Sequence, residues 1–191
     1  MDIINQVKEE LMKYVDEHKN SREDHYDFWG EHIKYVYEEA IALAKKYNAD
    51  EEIVQLGALL HDIALVKMVG TRAEHHINGK IIAEEILTKY QYPKEKMDRV
   101  LGCVYNHRSS KNVTNIEEQC VADADVLAHF DNIPMVFSLA YKQKDNNTIA
   151  DVREWLKYYF KKDFNDLSDV TKKEFEERYK LICRVILGEE L

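Results

Sequence analysis

Histidines and carboxylates placed on separate helical stretches carry the chemistry of this 191-residue chain. In LLHDIA, His61 and Asp62 stand side by side at the end of an apolar stretch. A neutral imidazole and a carboxylate are costly to bury unless something coordinates or pairs them, so the dipeptide asks for a metal. Its candidate partners are His32 in WGEHIKYVYEEA, His75 and His76 in HHINGKIIAEEIL, His107 in YNHRSS and Asp125 in VADADVLAHFD.

A helical residue advances about 100°, so positions three, four and seven apart share a face. His32 thereby lies with Phe28, Val36, Ala40 and Leu43, and Asp125 with Val121, Ala122 and Ala128, whereas Asp123 points roughly opposite. The stripe Gly79, Ile82, Ala83, Ile86 and Leu87 runs between the directions of His75 and His76. Gly79, one turn beyond His75, lets another backbone or a metal site approach closely and favours His75, with His76 as the alternate. Any one histidine on an apolar face is more often a hydrogen-bonded core residue than a ligand. Four helices each turning an ionisable group inward are a different matter, whereas His18, His25 and His129 read as exposed or capping residues.

The elements that must position these groups are helices. Only 2 Pro and 6 Gly interrupt the chain, and apolar residues recur at three- and four-residue intervals. The pattern predicts helices over Ile3–His18, Asp24–Tyr47, Glu51–Ala64, Glu74–Tyr90, Pro93–Asn106, Glu117–Phe130, Ile133–Tyr141, Thr148–Phe160 and Asp169–Leu187, and no strand. Asp50, Pro93 and Ser168 or Asp169 supply start signals. Loops are expected at 65–73, 108–116 and 142–147; the first two adjoin candidate ligands, where substrate loops are useful.

Composition bounds the rest. At 45% hydrophobic content, 191 residues suit one domain over 1–191. A net charge of −9 argues against stable nucleic-acid binding, while leaving room for a local basic pocket. Cys103, Cys120 and Cys183 lack Cys-x-x-Cys spacing and read as core thiols of a reducing compartment, which places the chain in the cytoplasm. The amphipathic, charged first residues and the lack of a long apolar run argue against export and membrane spanning.

The ordered set His32, His61-Asp62 and Asp125 resembles the HD-domain superfamily of metal-dependent phosphohydrolases, over about Phe28 to Phe130. The small stand-alone HD hydrolases are the nearest general likeness, which implies an all-α, single-domain bundle of the HD type. Residues 131–191 add helices without a functional match. The resemblance makes His32, His61, Asp62 and Asp125 the metal ligands. His75 with Gly79 looks like the His-x-x-x-Gly element found in many members, and His107 like their further histidine; members with both can hold a second metal. The Gly-Tyr-Pro extension of cyclic-dinucleotide phosphodiesterases is missing, as is the acidic residue that follows His-Asp in deoxynucleotidases.

Two imidazoles and two carboxylates form a mixed N/O site suited to Mn, Fe, Co, Ni or Mg and compatible with Zn. Such an ion lowers the pKa of its water from about 15.7 toward about 7–9 and polarises a phosphoryl oxygen. With two ions, Asp62 is the natural bridge; with one, His75 and His107 hydrogen-bond phosphate or protonate the leaving oxygen. Arg108 could clamp phosphate bidentately, with Lys111, Arg72 and Lys67 as weaker candidates, and Tyr105 or Tyr35 could stack on a base. The expected reaction is hydrolysis of a phosphomonoester or pyrophosphate of a small phosphorylated metabolite such as a nucleotide. The alternatives are a phosphodiesterase, a metal-binding regulatory protein without turnover, or a helical interaction domain with no site.

Overall fold

The computed structural model describes residues 2–143 and 148–188. Among the described residues every regular element is helical: α1 (Ile3–Ser21), a π-helical turn (Trp29–Ile33) running into α2 (Lys34–Tyr47), α3 (Glu51–Leu60), α4 (Ile63–Val66), α5 (His75–Lys89), α6 (Lys94–Asn106), α7 (Ile116–Asp131), α8 (Ile133–Tyr141), α9 (Ile149–Asp166) and α10 (Asp169–Ile182), which closes in a second π-helical turn (Cys183–Leu187). The all-α class read from periodicity is the class observed. No described helix is long and apolar enough to cross a membrane.

Helix α3 is the hub, packing against α1, α2, α6 and α7. Ile53, Val54, Leu56, Leu59 and Leu60 are fully buried, each burial contributing about 1.5–3 kcal/mol. Asp50 starts the helix by accepting from the backbone N–H groups of Glu52 and Ile53. Gly57 permits the close approach of α6, since a Cβ there would lie 2.6 Å from Cys103 Cβ. All three cysteines are buried, and none forms a disulfide among the described residues.

Three predicted boundaries need correction. The helix expected from Asp24 starts near Phe28, because the Asp27 carboxylate accepts from Gly30 N–H at 3.0 Å and caps the chain there. The helix expected over Glu51–Ala64 breaks at His61-Asp62. The His61 Nδ1–H donates to the Ala58 carbonyl at 2.7 Å, competing for the group that helical pairing assigns to Asp62 N–H. Apolar residues continue on both sides of this break, so periodicity runs through it unmarked. The helix expected over Thr148–Phe160 continues six residues to Asp166, with Thr148 and Asp151 forming a capping box. Of the loop expected over 142–147, residues 144–147 lie outside the described residues.

The C-terminal helices α8 and α9 pack against α7, and α10 reaches it through its first turn and Phe175. Phe130 packs against the rings of Phe160 and Phe175. Asp123 points away from Asp125, as helix phase requires, yet it is fully buried. It accepts from Ser168 N–H, Ser168 Oγ and Thr171 Oγ1 at 2.6–2.8 Å, tying α7 to the start of α10. Burial pushes its carboxyl above the usual range, and these donors partly offset that.

Candidate metal centre

Breaking the helix between Leu60 and Ile63 leaves Asp62 in a turn, where its two oxygens face two different pairs of histidines. Oδ2 is 3.7 Å from both His32 Nε2 and His61 Nε2. Oδ1 is 3.2 Å from His75 Nε2 and 3.8 Å from His107 Nε2. His32 comes from the π-helical turn before α2, His75 from the first turn of α5 and His107 from the end of α6. Asp125 on α7 completes the first group, its Oδ1 lying 3.1 Å from His32 Nε2 and 3.8 Å from His61 Nε2.

A shared local device sets the tautomers. His61, His75 and His107 each donate Nδ1–H to a carbonyl three residues back, those of Ala58, Arg72 and Val104, at 2.6–2.7 Å. A carbonyl only accepts, so in the neutral rings each Nε2 is a bare lone pair. His32 Nε2, 3.2 Å from His61 Nε2 and 3.1 Å from Asp125 Oδ1, can still carry a proton, but His75 Nε2 and His107 Nε2 face each other at 2.9 Å with none. Two lone pairs at this separation need a cation between them. Two nitrogens bound about 2.1 Å from one ion at right angles stand about 3.0 Å apart, so the donor spacing fits a divalent metal. His32 differs from the others: its buried Nδ1 has no hydrogen-bond partner among the described residues. The donor atoms form three groups able to hold an ion: His32, His61 and Asp62; Asp62, His75 and His107; and His32, Asp125 and His129.

The charges follow the geometry. Burial opposes ionisation of Asp125, but the His32 hydrogen bond and the charges of His32 and His61 hold its carboxyl well below the usual range. Asp62 is also lowered, against burial, by His61, His32 and His107. Burial pushes the His107 imidazole down to about 4, leaving that ring neutral for coordination, and it also lowers His32, against the pull of Asp125.

His129 is a residue that the sequence reading placed outside the site. Its ring stacks on His32 with centroids 5.4 Å apart, its Nδ1–H donates to Asp163 at 2.9 Å, and Tyr159 lies beside it. Burial lowers its pKa, but Asp163 outweighs that and raises it overall. The signal was present: His129 is one turn beyond Asp125. His18 also needs correction, being buried with its Nδ1–H on the Val66 carbonyl, whereas His25 is exposed at the end of α1.

Of the alternates, His75 joins the cluster and His76 does not. His76 turns toward Tyr105 and Arg108. A Cβ on Gly79 would stand 3.3 Å from a Val104 methyl and 3.5 Å from the His61 carbonyl, so the tight neighbour is a side chain and the backbone lies at ordinary contact distance. A polar cavity of about 240 Å³ opens onto the cluster, and both Arg72 and Arg108 line it. Arg108 also braces the preceding loop through the Ala73 carbonyl. Lys111 does not line this cavity but pairs with Asp166, which does, and Lys67 lies over the Tyr14 ring. Neither Tyr35 nor Tyr105 lines it.

Comparison with known proteins gives a consistent result for the fold. The family model for the HD domain matches residues 29–129. A tRNA (cytidine(56)-2'-O)-methyltransferase of Thermoplasma volcanium is 37% identical over 81 residues, 42% of this chain and 21% of that protein. The chain thus spans about a fifth of the length of that curated relative. An HD-superfamily hydrolase from Bacillus thuringiensis superposes with a TM-score of 0.66 at 19% identity, covering 97% of this chain and 95% of the other. YpgQ of Bacillus subtilis, solved in complex with ADP, gives 0.64 at 21% identity, covering 95% and 94%.

Proposed function

The chain belongs to the HD-domain family, and on that premise we propose that it is a metal-dependent phosphohydrolase cleaving a phosphomonoester or pyrophosphate of a nucleotide-like small molecule. The observation that carries this reading is the convergence of four imidazole Nε2 atoms on the two oxygens of Asp62, with the bare pair of His75 and His107 facing one of them. His32, His61, Asp62 and Asp125 would hold one ion, and Asp62, His75 and His107 would hold a second where two are bound. A divalent ion there supplies Lewis acidity, acidifying water and polarising a phosphoryl oxygen.

The chain's own groups divide the remaining work. Asp62 fixes the distance between the two histidine pairs, and the backbone carbonyls behind His61, His75 and His107 hold those rings in place. Arg72 and Arg108, at the polar cavity, orient phosphate oxygens. His129, held by Asp163, is placed to hydrogen-bond a leaving oxygen. The ADP complex of YpgQ supports a nucleotide-like substrate class.

The test is phosphate release from nucleoside mono-, di- and triphosphates with Mn, Co, Ni, Mg and Zn, with His61→Ala/Asp62→Ala as the control. Release by the wild type that the double variant loses is the expected result; equal turnover by both sinks the mechanism. Cleavage of cyclic or dinucleotide substrates alone would make the protein a phosphodiesterase, and bound metal without turnover would make it a regulatory binding protein.

A further inference from the structure

A second cavity of about 400 Å³ adjoins the cluster, and we propose that it receives the heterocyclic base of a nucleotide whose phosphates reach the polar cavity. The inference rests on the phosphohydrolase reading for the phosphate end of the ligand alone. His32, Asp62, Arg72 and His129 line both cavities, so one elongated molecule can occupy the two together. The volume lies within the range of small-molecule pockets.

The walls suit a flat aromatic group. Leu65, Met68, Met135 and Leu139 give apolar and thioether surface, and Phe28 adds a ring held edge-on by His18 and Tyr26, each 4.8 Å away. A sugar phosphate would leave this surface uncovered and its own hydroxyls short of partners. The pocket does contain a polar group matched to a base. His18 has committed Nδ1–H to the Val66 carbonyl, so in the neutral ring its other nitrogen is an acceptor, and every nucleobase carries an N–H.

Positive charge is concentrated where the linking phosphates would pass. Arg22 and Lys142 also line the larger cavity, but both are paired with Asp24, at 3.0 and 3.3 Å. Arg72 has no carboxylate partner among the described residues, and it stands on the wall shared by the two cavities. A ligand that is flat and N–H-bearing at one end and anionic at the other meets all of these features.

Calorimetric titration of the metal-loaded protein with the four common nucleoside diphosphates, inorganic pyrophosphate and ribose 5-phosphate tests the assignment. The nucleotides are expected to bind at least tenfold more tightly than either baseless probe. Leu139→Trp, which fills the cavity, should remove that difference, and Met68→Ala at the exposed rim should reduce it several-fold, with melting curves verifying that both variants fold. Equal affinity for pyrophosphate and nucleotides, no nucleotide binding at all, or folded variants that bind like the wild type would overturn it. Phosphate release from the same samples separates the two readings: base-dependent affinity without release overturns the hydrolase and supports the pocket.

Discussion

His75 Nε2 and His107 Nε2 stand 2.9 Å apart with both Nδ1–H groups spent on backbone carbonyls, so neither ring can donate to the other in its neutral form. The repulsion is relieved by a cation. Saturating divalent ion, at about 100 times its Kd, should add about 2.7 kcal/mol of stability. For a chain of this size that corresponds to roughly 5–10 °C in Tm. His107→Ala should shrink the gain, and a wild-type melting temperature indifferent to both chelator and every divalent ion would contradict the metal centre.

The Asp163–His129 contact predicts a pH effect. Asp163 raises the His129 pKa, so if His129 works as a donor, activity falls as pH climbs through that raised value. Asp163→Asn removes the carboxylate and lowers the pKa, moving the alkaline limb of the pH–rate profile to lower pH. Turnover near neutrality should drop about 100-fold, in line with loss of a positioned acid. A limb that stays in place, with metal content unchanged, would show that the pair is structural.

Arg72→Met should raise KM for nucleoside diphosphates by about tenfold or more, the scale of one lost charge-assisted hydrogen bond. Steady-state kinetics against a nucleoside monophosphate gives the comparison. Arg72 stands where the linking phosphate passes, so the two changes should be similar, and an unchanged KM for both would show that it contacts neither.

Gly57→Ala should destabilise the fold by about 1–3 kcal/mol, because the new methyl meets Cys103 Cβ across the α3–α6 contact and neither backbone can retreat without opening the core. Gly79→Ala should cost less, since its nearest neighbour, at 3.3 Å, is a Val104 methyl that can give way. The midpoints of urea unfolding measure both.

Buried Glu10 accepts from Lys89, Tyr90 and Tyr14 at 2.6–2.8 Å. Burial raises its pKa, but these donors overcome that and leave the carboxyl below its ordinary value. A lowered folded-state pKa means stability that is present above the unfolded value, near 4.5, and lost as pH falls through the folded one. Glu10→Gln should therefore flatten the acid limb of the stability curve. An unchanged limb would show that other carboxylates set it.

Much of this site was legible because α-helical phase is a strong signal. His32 and Asp125 share faces with apolar neighbours, and those faces do turn toward His61 and Asp62. What periodicity could not show were features that leave the apolar pattern intact. The break at His61-Asp62 has apolar residues on both sides, and the end of α9 is a polar run, KKDFND, that reads as a terminus while in fact carrying Asp163 and Asp166 to the cavity. His129 was passed over as an exposed or capping residue because it stands in the last turn of α7, where a histidine commonly serves the helix end. A helix buried on both faces has no solvent side from which to infer the functional one.

The segment that matches the family, 29–129, stops one residue short of Phe130, yet α9 and α10 reach back to it through Phe160 and Phe175, to Asp123 through Ser168 and Thr171, and to His129 through Asp163. Grafting 29–129 alone into another protein would carry across the six histidine and aspartate donors around Asp62 while exposing a buried carboxylate and freeing the His129 ring. The portable unit is therefore larger than the recognisable one, and its outer boundary is set by the partners of Asp123.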